Sequence, residues 1–299
     1  MLNTHDAKII ERGIKAAETR ISEENKIWSR YSNDKVDIGE ELTKVIRTLN
    51  KSFPLSKPLR ALSIGSSAEP QFRILETAFR KKLYLMDVEK RALDVVKERI
   101  KRQHTAHVST IRKDYNKIFL NTEKTRSFRK NKLEGKRVNL ITLHHSLYYS
   151  DENSWLYILR NLCREILSAK GAIHIVLMAA HSRNASTTTW LYNHFVNKFF
   201  GKKNTQDLIK FEKSLNKIGL SGNPSISART NHVRFFVDDF EKFMGVVWMI
   251  LLYPTVHNYS QKQKEEIAEF VYKKFWKNKN PLIQTQDHLM IYRGITIKK

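Results

Sequence analysis

The 299-residue chain carries 54 Lys and Arg against 30 Asp and Glu, a net charge of +24, with 41% hydrophobic and 28% charged residues. That apolar content excludes a disordered chain. The single cysteine, Cys163, excludes a disulfide scaffold, and 10 Gly with 6 Pro exclude collagen-like or linker-like sequence. No run approaches the ~18–20 apolar residues that span a bilayer. The opening MLNTHDAKIIERGIKAAETR has no apolar stretch of the signal-peptide kind. The expectation is a soluble, cytoplasmic globular protein with no membrane partner.

Lysines are spread from Lys8 to Lys299, so the positive charge reads as dispersed. Nucleic acid stays possible as a partner on charge alone, but it is not favoured. The densest basic run, 122–137 (TEKTRSFRKNKLEGKR), reads as a solvated loop.

Residues 5–33 are helical in pattern, with Ile9, Ile10, Ile14, Ala17 and Ile21 at three-to-four spacing. Residues 37–50 form a second amphipathic helix, ended by Pro54 and Pro58. The rhythm then changes. Short apolar runs at 59–65, 82–87, 107–115, 138–146 and 171–180 read as strands, the last opened by a glycine turn. Helical patterns at 71–81, 89–103 and 152–168 lie between them. Such alternation predicts a parallel sheet with helices on both faces, and near-continuous apolar strands agree with burial on both sides. Further on, 190–201, 205–219, 238–252 and 260–276 read as helices and 233–237 as a strand, with LIQTQ and HLMIYRG closing the chain as one or two strands. The fold class is therefore α/β, a Rossmann-like doubly wound sheet with N-terminal helices and a helical C-terminal insertion.

Ligands of such sheets bind at the carboxyl ends of the strands, near the point where strand order reverses. Residues 64–69, 87–89, 114–115 and 143–149 are expected to share one crevice there. The first loop, Ile64-Gly65-Ser66-Ser67-Ala68-Glu69-Pro70, offers small residues that let backbone N–H groups approach a ligand. It matches neither the dinucleotide nor the P-loop fingerprint. Asp87 closes the second strand, where a carboxylate accepts both hydroxyls of a ribose or caps the helix beginning near Glu89; Val88 sits beside it. Asp114 and Tyr115 follow the third strand, as a holder for an adenine amino group and its ring or as a plain turn. His144-His145-Ser146-Leu147-Tyr148-Tyr149 follows the fourth.

Taken in order, these elements resemble a class I S-adenosylmethionine-dependent methyltransferase over roughly residues 40–180. The segment LHHSLYYSDENSWLYILRNLCREIL is similar to its counterpart in histamine N-methyltransferase and related small-molecule enzymes, where Leu-Tyr-Tyr follows the fourth strand. The resemblance implies S-adenosylmethionine as cofactor, held by Gly65, Ser66, Ser67, Glu69, Asp87, Val88, Asp114, Tyr115 and His144. It implies an N-terminal helical cap over 1–57 and a methyltransferase domain over 58–299, with a substrate-roofing insertion at about 182–280. Asp34, Tyr148, Tyr149 and Gln284 fall at its substrate-contacting positions. His145, where the family carries an amide, also falls at a substrate-contacting position; it is the candidate catalytic base, with His144 as the alternative.

His181, after the fifth strand, and Trp248, in an apolar helix, are further acceptor-pocket candidates. His174, inside the fifth strand, reads as a core histidine. There is no Asn/Asp-Pro-Pro-aromatic signature of amino-methylating nucleic-acid enzymes. Cys163 lies mid-helix and reads as buried and inert. The Asp151-Glu152 pair reads as a helix cap rather than a metal site, and no zinc spacing occurs. The leading expectation is methyl transfer to N or O of a small organic acceptor. Methylation of RNA or protein, and a non-catalytic binding protein on the same fold, are the alternatives.

Overall fold

The computed structural model describes residues 4–18, 21–54, 56–65, 71–252 and 257–297. The chain divides into two compact units. One comprises Ile38–Leu177, Leu208–Arg229 and Asp287–Lys299; the other comprises Met1–Asp37, Met178–Asp207 and Thr230–Gln286.

The helices are α1 (Thr4–Lys15), α2 (Ile21–Tyr31), α3 (Asp34–Lys51), α4 (Gln71–Ala78), α5 (Lys90–Gln103), α6 (Asn116–Phe119), α7 (Thr122–Lys132), α8 (Glu152–Asn161), α9 (Thr188–Phe200), α10 (Leu208–Ile218), α11 (Phe240–Leu252) and α12 (Gln261–Val271). The strands are β1 (Arg60–Ile64), β2 (Lys82–Asp87), β3 (Val108–Arg112), β4 (Val138–His144), β5 (Leu167–Met178), β6 (Ser225–Phe235) and β7 (Leu282–Arg293). They form one seven-stranded sheet in the order β3-β2-β1-β4-β5-β7-β6.

The first five strands pair in parallel, with Leu62 opposite Tyr84 and Ile141, and Leu143 opposite Ile175. Every residue of β4 is buried, as expected for a strand covered on both faces. β7 runs against β5: Ala179 meets Thr285, His174 meets His288, and Gly294 lies against Ala169. The sheet is therefore mixed. One core cluster joins Leu62, Ile141, Leu143, Ile173 and Ile175 with Trp155 and Leu159 of α8, and another joins Leu83, Leu85 and Leu140 with Leu42, Val45 and Leu49 of α3.

Several sequence expectations are corrected. The helical pattern of 5–33 is two helices, α1 ending at Lys15 and α2 beginning at Ile21. The basic run at 122–137 is not a loop: Thr122–Lys132 is a helix, capped by the Asn121 side chain on the Lys124 N–H at 2.9 Å and anchored by Phe128. Its few apolar residues hid the pattern. The helix expected to run to 168 leaves α geometry at Leu162, makes a π turn over Leu162–Ile166 and passes directly into β5. No glycine turn opens that strand; instead the pairing jumps from Val138–Leu167 to Leu140–Ala172, a bulge that holds Gly171. β6 begins at Ser225, well before the expected 233, because its first residues alternate and stay largely exposed.

In the other unit, α11 is the core rather than a lid. Phe243, Met244, Val246, Val247, Trp248 and Leu251 all have 0% exposure. The helix is apolar all round because it is covered all round. α1 comes close against it at Gly13, where an added Cβ would sit 2.5 Å from Phe240 Cε1. The Trp248 indole N–H donates to the Gly13 carbonyl at 2.9 Å. Trp248, expected in an acceptor pocket, is thus a structural residue. Trp248→Ala should lower unfolding stability by about 3–5 kcal/mol, read by urea denaturation; a loss under ~1 kcal/mol would contradict this placement.

Candidate active site

β1 and β4 are neighbours, and their following connections diverge, so the strand-order reversal lies between them. The chain leaves β1 through Gly65 at φ 74°, a left-handed conformation that favours glycine. Gly65 N–H donates to the Met86 carbonyl at 2.8 Å. An added Cβ at Gly65 would lie 2.6 Å from Ser146 Cβ, so the two loops touch at the switch point. Ser146 is 2% exposed, and its hydroxyl has no hydrogen-bond partner among the described residues. A buried hydroxyl left unmatched beside a glycine turn fits a site built for a polar ligand. Ser66, Ser67, Ala68, Glu69 and Pro70 lie outside the described residues.

Two carboxylates stand at the ends of the strands beyond β1. Asp87 Oδ1 accepts the Glu89 N–H at 2.9 Å, while Glu89 itself caps α5. Asp114 Oδ1 accepts the Asn116 N–H at 2.9 Å. Each therefore uses one oxygen to fix its own loop, and the second oxygen of each has no partner among the described residues. Val88 is 57% exposed at the same edge.

Tyr115 has a different place from the one expected. It is 7% exposed and belongs to the core, and its hydroxyl donates to the Ser146 carbonyl at 2.8 Å and lies against Ser150 Oγ. Burial pushes the phenol up to about 12. Ser150 Oγ donates to Asn116 Oδ1 at 2.6 Å, and Asn116 Nδ2 donates to the Tyr149 carbonyl at 2.9 Å. Tyr115, Asn116 and Ser150 together staple the loop after β3 to the loop after β4. Sequence reading missed the last two; the one available signal was their position beside the strand ends.

His145 has φ 51°, left-handed for a residue with a Cβ, and its N–H donates to the Val176 carbonyl at 2.9 Å. Backbone strain of this kind is held only by surroundings that over-determine it. The imidazole stacks on Tyr148 at 5.9 Å between centroids, with Nδ1 3.4 Å from the Tyr148 hydroxyl. Tyr149 is 56% exposed.

His144, expected as a cofactor contact, turns inward. It is 4% exposed, and its Nε2 lies 3.1 Å from His174 Nδ1; His174 Nε2 lies 3.2 Å from His288 Nδ1. Three imidazoles thus cross β4, β5 and β7 in one buried chain. Burial, then the neighbouring His144 and His288, hold His174 well below the ordinary histidine value of 6.5. Neutral rings in such a chain must all share one tautomer, since each link needs one N–H and one lone pair. Cys163 is fully buried, and burial pushes its thiol up to about 12, which leaves it unreactive.

The remaining candidates belong to the other unit. Asp34 is buried, with Lys35 Nζ 3.0 Å from its carboxylate. Gln284 is 7% exposed and donates to Gln286 Oε1 at 2.8 Å. Gln286 donates to Asp37 Oδ2 at 2.8 Å, and Asn231 donates to Asp37 Oδ1 at 2.7 Å. This buried polar chain was not anticipated beyond Gln284. The His181 side chain is 78% exposed and faces Asp207 at 3.5 Å. Among the described residues no cluster of His, Cys, Asp and Glu is fit to hold a metal ion, and no helix is long and apolar enough to cross a membrane.

The strand order and the layout of strands and helices are those of a Rossmann-like methyltransferase fold. A candidate sarcosine dimethylglycine methyltransferase from Galdieria sulphuraria superposes with a TM-score of 0.50 at 11% identity, covering 86% of each chain. A candidate methyltransferase from Bacillus halodurans gives a TM-score of 0.49 at 15% identity, covering 84% of this chain and 99% of its own. No family profile and no curated protein sequence matches this chain.

Buried His174 sets a pH dependence. As pH falls below 6.5, the unfolded chain takes up a proton at His174 that the folded chain resists, so acid favours unfolding. His194 and His257, also held low by burial, act with the same sign. Urea midpoints should be flat above pH ~7 and fall between pH ~6.5 and 5, with a shallower fall in His174→Gln. Equal slopes in the two proteins would remove His174 from this account.

Proposed function

We propose that the chain is an S-adenosylmethionine-dependent methyltransferase acting on N or O of a small organic acceptor, in the cytoplasm. The observation that carries this reading is the junction of Gly65 with the Ser146 hydroxyl, unpartnered among the described residues, at the strand-order reversal, flanked by carboxylate oxygens of Asp87 and Asp114 that the described residues leave uncommitted. Gly65 and Ser146 leave room and a polar partner for the cofactor, Asp87 accepts from its ribose hydroxyls, and Asp114 accepts from its adenine amino group. When bound, the cofactor supplies a methyl group already activated as a sulfonium. The protein's share is alignment and, for an acceptor that must lose a proton, a base.

His145 can hold that proton at Nε2 if its Nδ1–H donates to the Tyr148 hydroxyl. In the other tautomer Nε2 already carries hydrogen, and the ring serves only to position the acceptor. Exposed Tyr149 supplies an aromatic face beside it. The likeness of the LHHSLYYSDENSW segment to the histamine N-methyltransferase relatives supports a small acceptor.

Calorimetry with S-adenosylhomocysteine tests the cofactor site. The wild type should bind, and Asp87→Ala should weaken binding by about 1.5–3 kcal/mol with the fold retained. A folded wild type that binds neither S-adenosylhomocysteine nor S-adenosylmethionine overturns the proposal. The acceptor can be sought by screening amines and phenols for cofactor consumption. Tyr149→Ala should then slow turnover by roughly 10²-fold while cofactor affinity holds, because misplacement of the acceptor acts on the rate. Wild-type turnover in that variant would move the acceptor elsewhere.

A further inference from the structure

The amino ends of β4 and β5 carry a feature that the methyl-transfer site does not use. Five guanidinium groups gather around the π turn at Leu162–Ile166. Arg126 and Arg164 approach Glu165 Oε1 at 3.1 and 3.4 Å. Arg129 Nη1 donates to the Glu165 carbonyl at 2.8 Å and lies 3.6 Å from its Oε2. Arg137 Nη1 donates to the Leu167 carbonyl at 2.9 Å. Arg293 Nη1 reaches the same carbonyl at 3.5 Å and donates to the Cys163 carbonyl at 2.6 Å.

These contacts satisfy the carbonyls at the end of the turn, but they leave positive charge in excess. Glu165 is the central carboxylate among the five, with Glu123 paired to Arg126 at the margin. The guanidiniums of Arg137 and Arg293 share the Leu167 carbonyl oxygen. Burial and the guanidiniums of Arg129 and Arg293 pull Arg137 below its ordinary value. Each fork has five N–H donors, and Arg137 commits one of its own to the Leu167 carbonyl. Lys130 and Lys132 in the last turn of α7 and Lys136 in the turn after it are exposed, and Glu134 between them is paired to Arg60 and Lys82. The result is a basic track at the strand ends opposite the methyl-transfer crevice, running from the exposed lysines to the half-buried Arg129, Arg137 and Arg293.

We propose that this track, from Lys130 and Lys132 through Arg129 and Arg137 to Arg293, docks the phosphodiester backbone of a nucleic-acid strand. Planar forks matched to phosphate oxygens and an extended layout favour a polyanionic strand over a single small anion. The contacts are to backbone, so binding is independent of base sequence.

Fluorescence polarisation with a labelled single-stranded RNA of about 20 nucleotides and mixed sequence tests this at ~100 mM salt. Two variants address the track: Lys130→Ala/Lys132→Ala/Lys136→Ala, which leaves every arginine contact to the turn in place, and Arg137→Gln. A control, Lys262→Ala/Lys264→Ala/Lys274→Ala, removes the same charge from the other unit. The track triple variant should lose about tenfold in affinity, and its slope of log K against log salt should shrink by about 2, since each lost phosphate contact is worth roughly 0.7. Arg137→Gln should weaken binding in the same direction, and the control should stay near wild type. Three results overturn the proposal: no binding by the wild type, an equal loss in the control, or tighter binding to phosphatidylserine vesicles than to RNA. None of them bears on the crevice, which S-adenosylhomocysteine binding reads separately.

Discussion

The contact between Gly65 and Ser146 is the constraint on which the site depends. Two parallel strands, β1 and β4, lie side by side and send their chains apart, which opens a crevice only if the two exits stay narrow at their base. Glycine in a left-handed turn lets the β1 exit pass within van der Waals distance of the β4 exit. Any Cβ there would push the loops apart and displace the seryl hydroxyl. The acids at the ends of β2 and β3 lie farther along the same edge and are useful only because that junction is set.

Around this junction the structure uses polar groups to fix loops. Tyr115 reaches from the end of β3 to the Ser146 carbonyl, Asn116 holds the Tyr149 carbonyl, and Asp87 and Asp114 each spend one oxygen on the following backbone. Residue types that suggest ligand contact thus brace the loops at the strand ends. Beneath them burial holds His174 below the ordinary histidine value, its ring set between those of His144 and His288 inside the sheet. Inward-facing His144 and strained His145 are neighbours in sequence with opposite roles, since successive strand residues point to opposite sides and His145 already leaves the strand.

The second unit shows how an apolar helix can be misread. A pattern such as FEKFMGVVWMILL is compatible with a lid over a ligand or with a fully enclosed core element. The decision rests on what covers the helix, and that came from α1, α2 and α9, far away in sequence. The hydrogen bond from Trp248 to Gly13 spans 235 positions, and no local pattern encodes it.

The sequence by itself determined the alternation of strands and helices, the buried parallel strands, the glycine exit of β1 and the acids after β2 and β3, because period, apolar runs and turn residues are local signals. It also marked Cys163 as inert and His174 as a core residue. It misjudged 122–137, where charge masked the buried Thr125 and Phe128 that anchor a helix, and it read the start of β5 as a turn because a bulge and a turn share glycine. Only the tertiary structure decided that Tyr115 and His144 face inward, that Trp248 is core, that Gln284 continues into a chain with Gln286 and Asp37, and that five arginines converge on one turn. Those outcomes depend on which distant segments meet, and burial and pairing are properties of the meeting rather than of either segment.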